Sequence, residues 1–368
     1  MPLILILVSF AFASVSEAGK YRLELVARQN EVIDGQSLGF FRGVAIDDLG
    51  NIAYTAVAVD QDTAELTGSA ILIANQTAVG TGDNIPSGKL GFLGEPSLSS
   101  DGTLAYSADV FIQGNALSST SAVVGDPSLS SSHQLMAGRN TVVEGITLEG
   151  VINPTINDAG SLAYTGIYTD TQLNLKANAV VHNNVIIAAT GDTIGDFIID
   201  TVDQASLSAS GDLAFEANLI HLPTSTPVPS IFANGQVVAL ALALTDGLEL
   251  TDVFSPAMNG PGDLAYVGQY FEQALNQENT AIILNGEVII QSGDLSVDEL
   301  ILDRINAVSL NASGELAFHA NFIDRATGNF FEEGIFRAVL VPEPATVAFV
   351  LASLLFLPAR RLVRTPSY

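Results

Sequence analysis

The chain contains no cysteine and no tryptophan. A disulfide framework, a thiolate metal site and a cysteine nucleophile are therefore excluded. Cations are scarce too: 13 Lys and Arg stand against 40 Asp and Glu. Histidine occurs four times, as His133, His182, His221 and His319. None forms an H-x-H or H-x-x-x-H pair, so no compact local metal site is present. A basic stripe of the kind that holds nucleic acid is missing, and a surface this acidic repels phosphate backbones and anionic headgroups. Its excess carboxylates keep an apolar-rich chain dispersed.

Of the 368 residues, both ends stand apart from the body. Leu3 to Val15 is nearly all apolar, and Ser16-Glu17-Ala18 supplies small residues at the outer cleavage positions. Residues 1–18 thus read as a secretory signal peptide cut near Ala18, although no Lys or Arg precedes the apolar stretch. The tail, 342–368, follows Val341 with Pro342-Glu343-Pro344, the apolar run Ala345–Leu357, and then Arg360, Arg361 and Arg364. The two prolines hold the motif extended and clear of a folded body. The run is 13 residues long (345 to 357). A single membrane-spanning helix of about 17–25 residues forms only if the flanking residues sit in the interfaces. The arginines are then retained on the cytoplasmic side and the body lies outside. A buried terminal helix is the other reading. Removing Glu17, Glu343 and the three tail arginines leaves the body, 19–341, with a formal charge of 10 − 38 = −28.

A short rigid motif, an apolar segment and a basic stop in this order resemble the PEP-CTERM sorting tail of exported bacterial proteins. The resemblance implies processing by an exosortase-type membrane enzyme, membrane attachment through the tail before processing, and delivery to the cell envelope, surface or exterior.

Within the body one pattern recurs six times: a small polar head, Gly three residues on, then Ala and an aromatic. The heads are Asp47, Ser99, Asn157, Ser208, Asn259 and Asn311. The glycines are Gly50, Gly102, Gly160, Gly211, Gly262 and Gly314, spaced 52, 58, 51, 51 and 52 residues apart. The copies close on Ala53-Tyr54, Ala105-Tyr106, Ala163-Tyr164, Ala214-Phe215, Ala265-Tyr266 and Ala317-Phe318. This is similar to the NxxGxxAF tandem-repeat family of exported proteins, with Asp or Ser for Asn in three copies and Tyr for Phe in four. A role linked to extracellular polysaccharide or biofilm matrix is what that resemblance implies.

The head residue can hydrogen-bond the backbone two or three residues on and set a turn. The glycine supplies the positive φ of a tight hairpin. After it the aromatic and Ala lie on opposite faces of a strand, so a large ring can face a neighbour's small Ala. Further apolar segments such as Ala70–Ile73, Ala281–Leu284 and Gly43–Ile46 raise the count to four short strands per unit of about 51 residues. The expected fold is all-β, a six-bladed β-propeller, with the segment Tyr21–Arg28 supplying the strand that the last copy lacks. An open solenoid is the alternative.

Motifs for chemistry are few. Gly35-Gln-Ser37-Leu-Gly39 matches the G-x-S-x-G nucleophile elbow, but that motif needs a strand before it and a helix after it, and here a loop is expected. Asp60-Gln-Asp62-Thr-Ala-Glu65 could hold Ca²⁺ through carboxylate oxygens, yet lacks EF-hand spacing. The segments Gly114–His133 and Leu219–Pro229 read as long loops rich in Ser, Thr or Pro. No catalytic residue, cofactor or metal ligand is assigned. The reading is a non-enzymatic surface or matrix protein; the alternative is a propeller hydrolase or lyase acting on extracellular carbohydrate, with carboxylates converging at the mouth of the ring.

Overall fold

The computed structural model describes residues 21–341, apart from 61–62, 64, 113–118, 129–131, 172–174, 274–275, 297–298 and 325–331. Ala18, Pro342, Glu343, Pro344, Arg360, Arg361, Arg364 and the expected C-terminal helix all lie outside the described residues. Val341 is described and exposed. No helix among the described residues is long and apolar enough to cross a membrane.

The chain is a six-bladed β-propeller. In blade 1 the strands run outward in order: Gln36–Ile46, Ile52–Val59, Leu66–Ile73 and Gln76–Gly80. A two-residue strand, Val32–Ile33, pairs with the start of the inner strand and makes a small hairpin. Blades 2 to 5 repeat the plan with inner strands Gly88–Leu98, Ile146–Ile156, Phe197–Leu207 and Leu248–Met258. Blade 6 comprises Leu300–Leu310, Leu316–Asp324 and Glu332–Leu340, and its outermost position holds Tyr21–Arg28, antiparallel to Glu332–Leu340. Each inner strand touches those of the blades beside it, and Leu300–Leu310 touches Gln36–Ile46 to complete the cycle.

The repeat explains both the turn and the core. Asp47 Oδ1 accepts from the N–H groups of Leu49 (2.9 Å) and Asn51 (2.7 Å), and Asn311 Oδ1 accepts from Ser313 (3.1 Å) and Glu315 (2.9 Å). The head therefore reaches two and four residues on, rather than two and three. All six motif glycines have φ between 72° and 94°, where a side chain would be strained. The six alanines after them are 0 % exposed, and the aromatics 4 % or less. Ala53 shares a buried cluster with Tyr106, Ala105 with Tyr164, Ala163 with Phe215, Ala265 with Phe318, and Ala317 with Tyr54. The small residue of one blade thus makes room for the ring of the next, and blades cohere by interdigitation.

Buried rings bring hydroxyls that need partners. Tyr54 Oη donates to Asn75 Oδ1 (2.9 Å), and Tyr106 Oη meets His133 Nδ1 (2.8 Å). Tyr164 Oη is buried without a partner among the described residues. Blades 4 and 6 carry Phe215 and Phe318 at the same place. Tyr164→Phe should therefore stabilise the fold by about 1 kcal/mol, since it removes an unsatisfied polar atom and keeps the ring. Urea unfolding checks this; a lower midpoint in the variant would mean that the hydroxyl has a partner after all.

The sequence reading needs three local corrections. Gln36–Ile46 is an 11-residue strand, so Ser37 is a buried strand residue rather than part of a loop. With no helix after it, the G-x-S-x-G pattern is no nucleophile elbow. The segment Gly114–His133 contains the strand Ser119–Gly125. Leu219–Pro229 is the tip of a hairpin whose strands are Leu213–His221 and Thr226–Ala233.

Candidate functional site

Every inner strand carries a bulge about three residues before its end. The register skips between Arg42 and Val44, Leu93 and Pro96, Ile152 and Thr155, Val202 and Ala205, Phe254 and Ala257, and Ile305 and Ala307. A bulge bends the strand and re-aims its side chains. Here it divides the lumen. Below it, Val44, Pro96, Pro154, Ala205, Pro256 and Val308, one from each blade, line a narrow channel with a free volume of only about 60 Å³. Lower still, the six repeat turns surround a second void of about 60 Å³.

Above the bulge, between blades 1, 2, 3 and 6, the lumen widens into an open cavity of about 500 Å³. Its wall includes Arg42, Phe92, Glu95, Asp109, Asn153, Asn306 and His319. Glu95 and Asn153 line both the wide cavity and the narrow channel, so they form the waist of a funnel. Glu95 is pressed against blade 1: a Cβ on Gly43, whose φ is 61°, would come within 2.7 Å of Glu95 Cγ. Asn153 Nδ2 donates to Asp203 Oδ1 at 2.8 Å and ties blade 3 to blade 4.

A second position also feeds the centre. The residues after the repeat aromatics are Thr55, Ser107, Thr165, Glu216, Val267 and His319. Three of them stitch to the bulge of the next blade. Thr55 Oγ1 donates to the Gly94 carbonyl (2.6 Å), Thr165 Oγ1 to the Asp203 carbonyl (2.8 Å), and Glu216 Oε2 accepts from the Ser255 N–H (3.2 Å). In blade 6, His319 Nε2 lies 3.3 Å from Glu333 Oε2, a contact at ion-pair distance without hydrogen-bond geometry. The same Glu333 oxygen accepts from the Phe41 N–H of blade 1 at 2.9 Å.

Carboxyl groups crowded here hold their protons unusually well. Burial, with help from the charge of Asp203, pushes Glu95 up to about 7. Its carboxyl keeps some contact with lumen water, but protein surrounds it on every side, and that enclosure sets its proton affinity. Burial pushes Glu216 up to about 8, with Asp203, Asp252 and Glu95 adding repulsion and the Ser255 N–H opposing the shift. Enclosure within the ring raises Asp203, although it still meets water, against the pull of Asn153 and the Gln204 N–H; burial raises Asp252, opposed by the Val253 N–H and Arg304.

The remaining histidines lie away from the funnel. His133 is fully buried between Tyr106 Oη and the Asp126 carbonyl, His182 contacts Asn183, and His221 contacts Thr224. Among the described residues no group of three His, Asp or Glu is placed to hold a metal ion. In the acidic loop, Asp60 Oδ1 accepts from the Thr63 N–H, while Asp62 lies outside the described residues.

The sequence reading assigned no role to any funnel residue, although it named His319 and the segment Gly43–Ile46. A signal was present at one repeat position, where His319 on the wall and Glu216 behind it replace a small hydroxyl residue. Glu95 and Arg42 stand at positions where the six copies share no residue type, so nothing marked them.

No family model matches the chain, and no curated protein matches it. Solved propellers resemble it in fold. An α-L-arabinofuranosidase from Fusarium graminearum, Arb93A, aligns at 9 % identity over 88 % of this chain and 99 % of its own, with a TM-score of 0.46. The gluconolactonase XC5397 from Xanthomonas campestris aligns at 10 % identity over 88 % of this chain and 91 % of its own, with a TM-score of 0.40. The Dos1 propeller aligns at 10 % identity over 86 % of this chain and 76 % of its own, with a TM-score of 0.34. These are likenesses of architecture alone.

Proposed function

We propose that this chain is an exported, acidic propeller of the cell envelope or extracellular matrix that binds saccharide in its central funnel. The observation that carries the binding part is the funnel itself: an open cavity of about 500 Å³ with a polar wall and a narrow floor, which admits a sugar-sized ligand and stops it at Glu95 and Asn153. The export part rests on the terminal segments. Ala18 marks the cleavage of a signal peptide; Val341, Pro342, Glu343 and Pro344 form the motif read by an exosortase-type enzyme; Arg360, Arg361 and Arg364 hold the cytoplasmic side. The Tyr21–Arg28 strand serves as the clasp that joins the two ends of the ring.

Two experiments test the two parts. Full-length protein is assayed for binding to extracellular polysaccharide from its host, beside Asn306→Trp, which narrows the funnel. Loss of binding with an unchanged melting temperature supports the funnel; equal binding by both overturns it. For sorting, deleting Pro342–Pro344 should leave unprocessed chain in the membrane fraction, read as intact mass. A mature mass and location unchanged by the deletion would remove the tail as the signal.

One observation favours a hydrolytic alternative. A carboxyl group that keeps its proton near pH 7, as Glu95 does, can protonate a leaving-group oxygen. Release of reducing ends from the polysaccharide, abolished by Glu95→Gln, would replace the binding reading with this one.

A further inference from the structure

Of the eight Lys and Arg among the described residues, four are consumed in ion pairs at the periphery. Arg22 pairs with Glu24, Arg28 with Glu332 and Asp324, Lys176 with Glu149, and Arg337 with Glu315. Arg42 pairs with none. Among the described residues no carboxylate comes within ion-pair distance of its guanidinium, which instead lies over the Phe40 ring, 5.4 Å from the centroid. An exposed arginine left unpaired on the funnel wall, in a protein with 40 acidic residues, has its donors free for something that enters. Guanidinium donors match a carboxylate in pairs, and stacking on an aromatic ring fixes the plane of the fork.

The amides beside it point to the rest of the ligand. Asn153 commits its nitrogen to Asp203, and Asn306 commits its nitrogen to Asn321 Oδ1 at 2.8 Å. Both carbonyl oxygens are left without a partner among the described residues. They can accept from hydroxyl groups, and the second N–H of each amide can donate to a sugar oxygen. Hydroxyl donors combined with one carboxylate describe a uronic-acid sugar.

We propose that the funnel recognises a carboxylate-bearing saccharide, with Arg42 pairing the carboxylate and Asn153, Asn306 and Glu95 contacting the hydroxyls. This rests on the funnel-binding reading above and narrows its ligand class. Glu95 makes the site sensitive to pH. While it carries its proton it donates to a sugar oxygen; once ionised it faces the incoming anion with like charge. Facing it are Arg42 of blade 1, Asp109 beside it in blade 2, Asp203 and Glu216 of blade 4, and His319 of blade 6, with Arg42 the fixed cation among them. Binding should weaken as pH rises through about 7.

The test uses full-length protein and two probes, a galacturonate trimer and a neutral galactose trimer, with calorimetry at pH 6 and pH 9. At pH 6 the acidic trimer should bind at least 10-fold tighter than the neutral one. Arg42→Ala should erase that preference, while Arg139→Ala, at an exposed turn arginine outside the cavity lining, should leave it intact. At pH 9 affinity for the acidic trimer should fall about 10-fold, and Glu95→Gln should prevent the fall. Equal affinity for both trimers, or a preference that survives Arg42→Ala or is lost equally in Arg139→Ala, overturns the carboxylate assignment and leaves the funnel as a neutral-sugar site. Binding of neither trimer overturns the carboxylate assignment too, and the host-polysaccharide assay then decides separately whether the funnel binds sugar at all.

Discussion

Glu216→Gln should raise the melting temperature at pH 9 by roughly 5–10 °C and leave it unchanged near pH 4. Burial lifts the Glu216 carboxyl from 4.5 to about 8. In the unfolded chain the group ionises near its ordinary value, while in the ring it keeps its proton. Between those two values the folded state binds more protons than the unfolded one, so stability falls as pH rises. The loss begins near pH 4.5 and is complete once the pH has passed about 8. The group is part-exposed, so the penalty is roughly 2–4 kcal/mol rather than the full value of the shift. For a chain of this size each 1 kcal/mol moves the midpoint by about 2–4 °C. Glutamine mimics the protonated form, can still accept from the Ser255 N–H, and does not titrate. Differential scanning calorimetry from pH 4 to 9 gives the comparison. If the two curves run parallel, Glu216 ionises normally in the folded ring and the acidic centre is not strained.

The position of Glu216 shows where the sequence was readable and where it was not. The six glycines and the Ala-aromatic pairs were plain, because each copy solves the same packing problem and only a few residue types fit. A motif that must turn tightly and then interdigitate with a neighbour leaves a strict imprint. The inner strands left a weaker one. They carry Asp200, Asp203, Asp252, Asp303 and Arg304, none of them buried, so apolar alternation breaks down, and Gly35–Gly39, coming after the closing strand, reads as a loop. The bulges were invisible for the same reason that they matter. An extra residue in a strand needs only a permissive backbone at one point, supplied here by Gly43, Asn153 and Ser255, each at positive φ, and by other means elsewhere. The funnel is what those bulges aim at. Its residues differ from blade to blade, so the comparison of repeats that revealed the fold conceals the site.

Asn311→Ala should destabilise the ring by about 3 kcal/mol, the other large effect expected. Asn311 is 2 % exposed and works in two directions. Its Oδ1 caps the N–H groups of Ser313 and Glu315, which any head residue with an acceptor could do. Its Nδ2 donates to the Asp47 carbonyl of blade 1 at 3.1 Å, across the seam between the last blade and the first. Asn157 reaches the Ser208 carbonyl (3.0 Å) and Asn259 the Asn311 carbonyl (3.1 Å) in the same way. Asp47 lacks a donor and Ser99 and Ser208 lack the reach, so asparagine is the head residue that both builds the turn and fastens it to the next blade. Alanine would take the acceptor from the N–H groups of Ser313 and Glu315 and one of two donors from the buried Asp47 carbonyl, which keeps the Gly50 N–H (3.0 Å); each of the three lost bonds costs about 1 kcal/mol. Asn311→Asp separates the two jobs. It keeps the cap, deletes the donor and turns a carboxylate towards a carbonyl, so about half of the loss should remain. Guanidinium unfolding measures the totals, and amide exchange in Tyr21–Arg28 reports on the seam, where opening should accelerate in both variants. Should Asn311→Asp prove as stable as the parent, the bond between blades contributes nothing and the asparagine is kept for its turn alone.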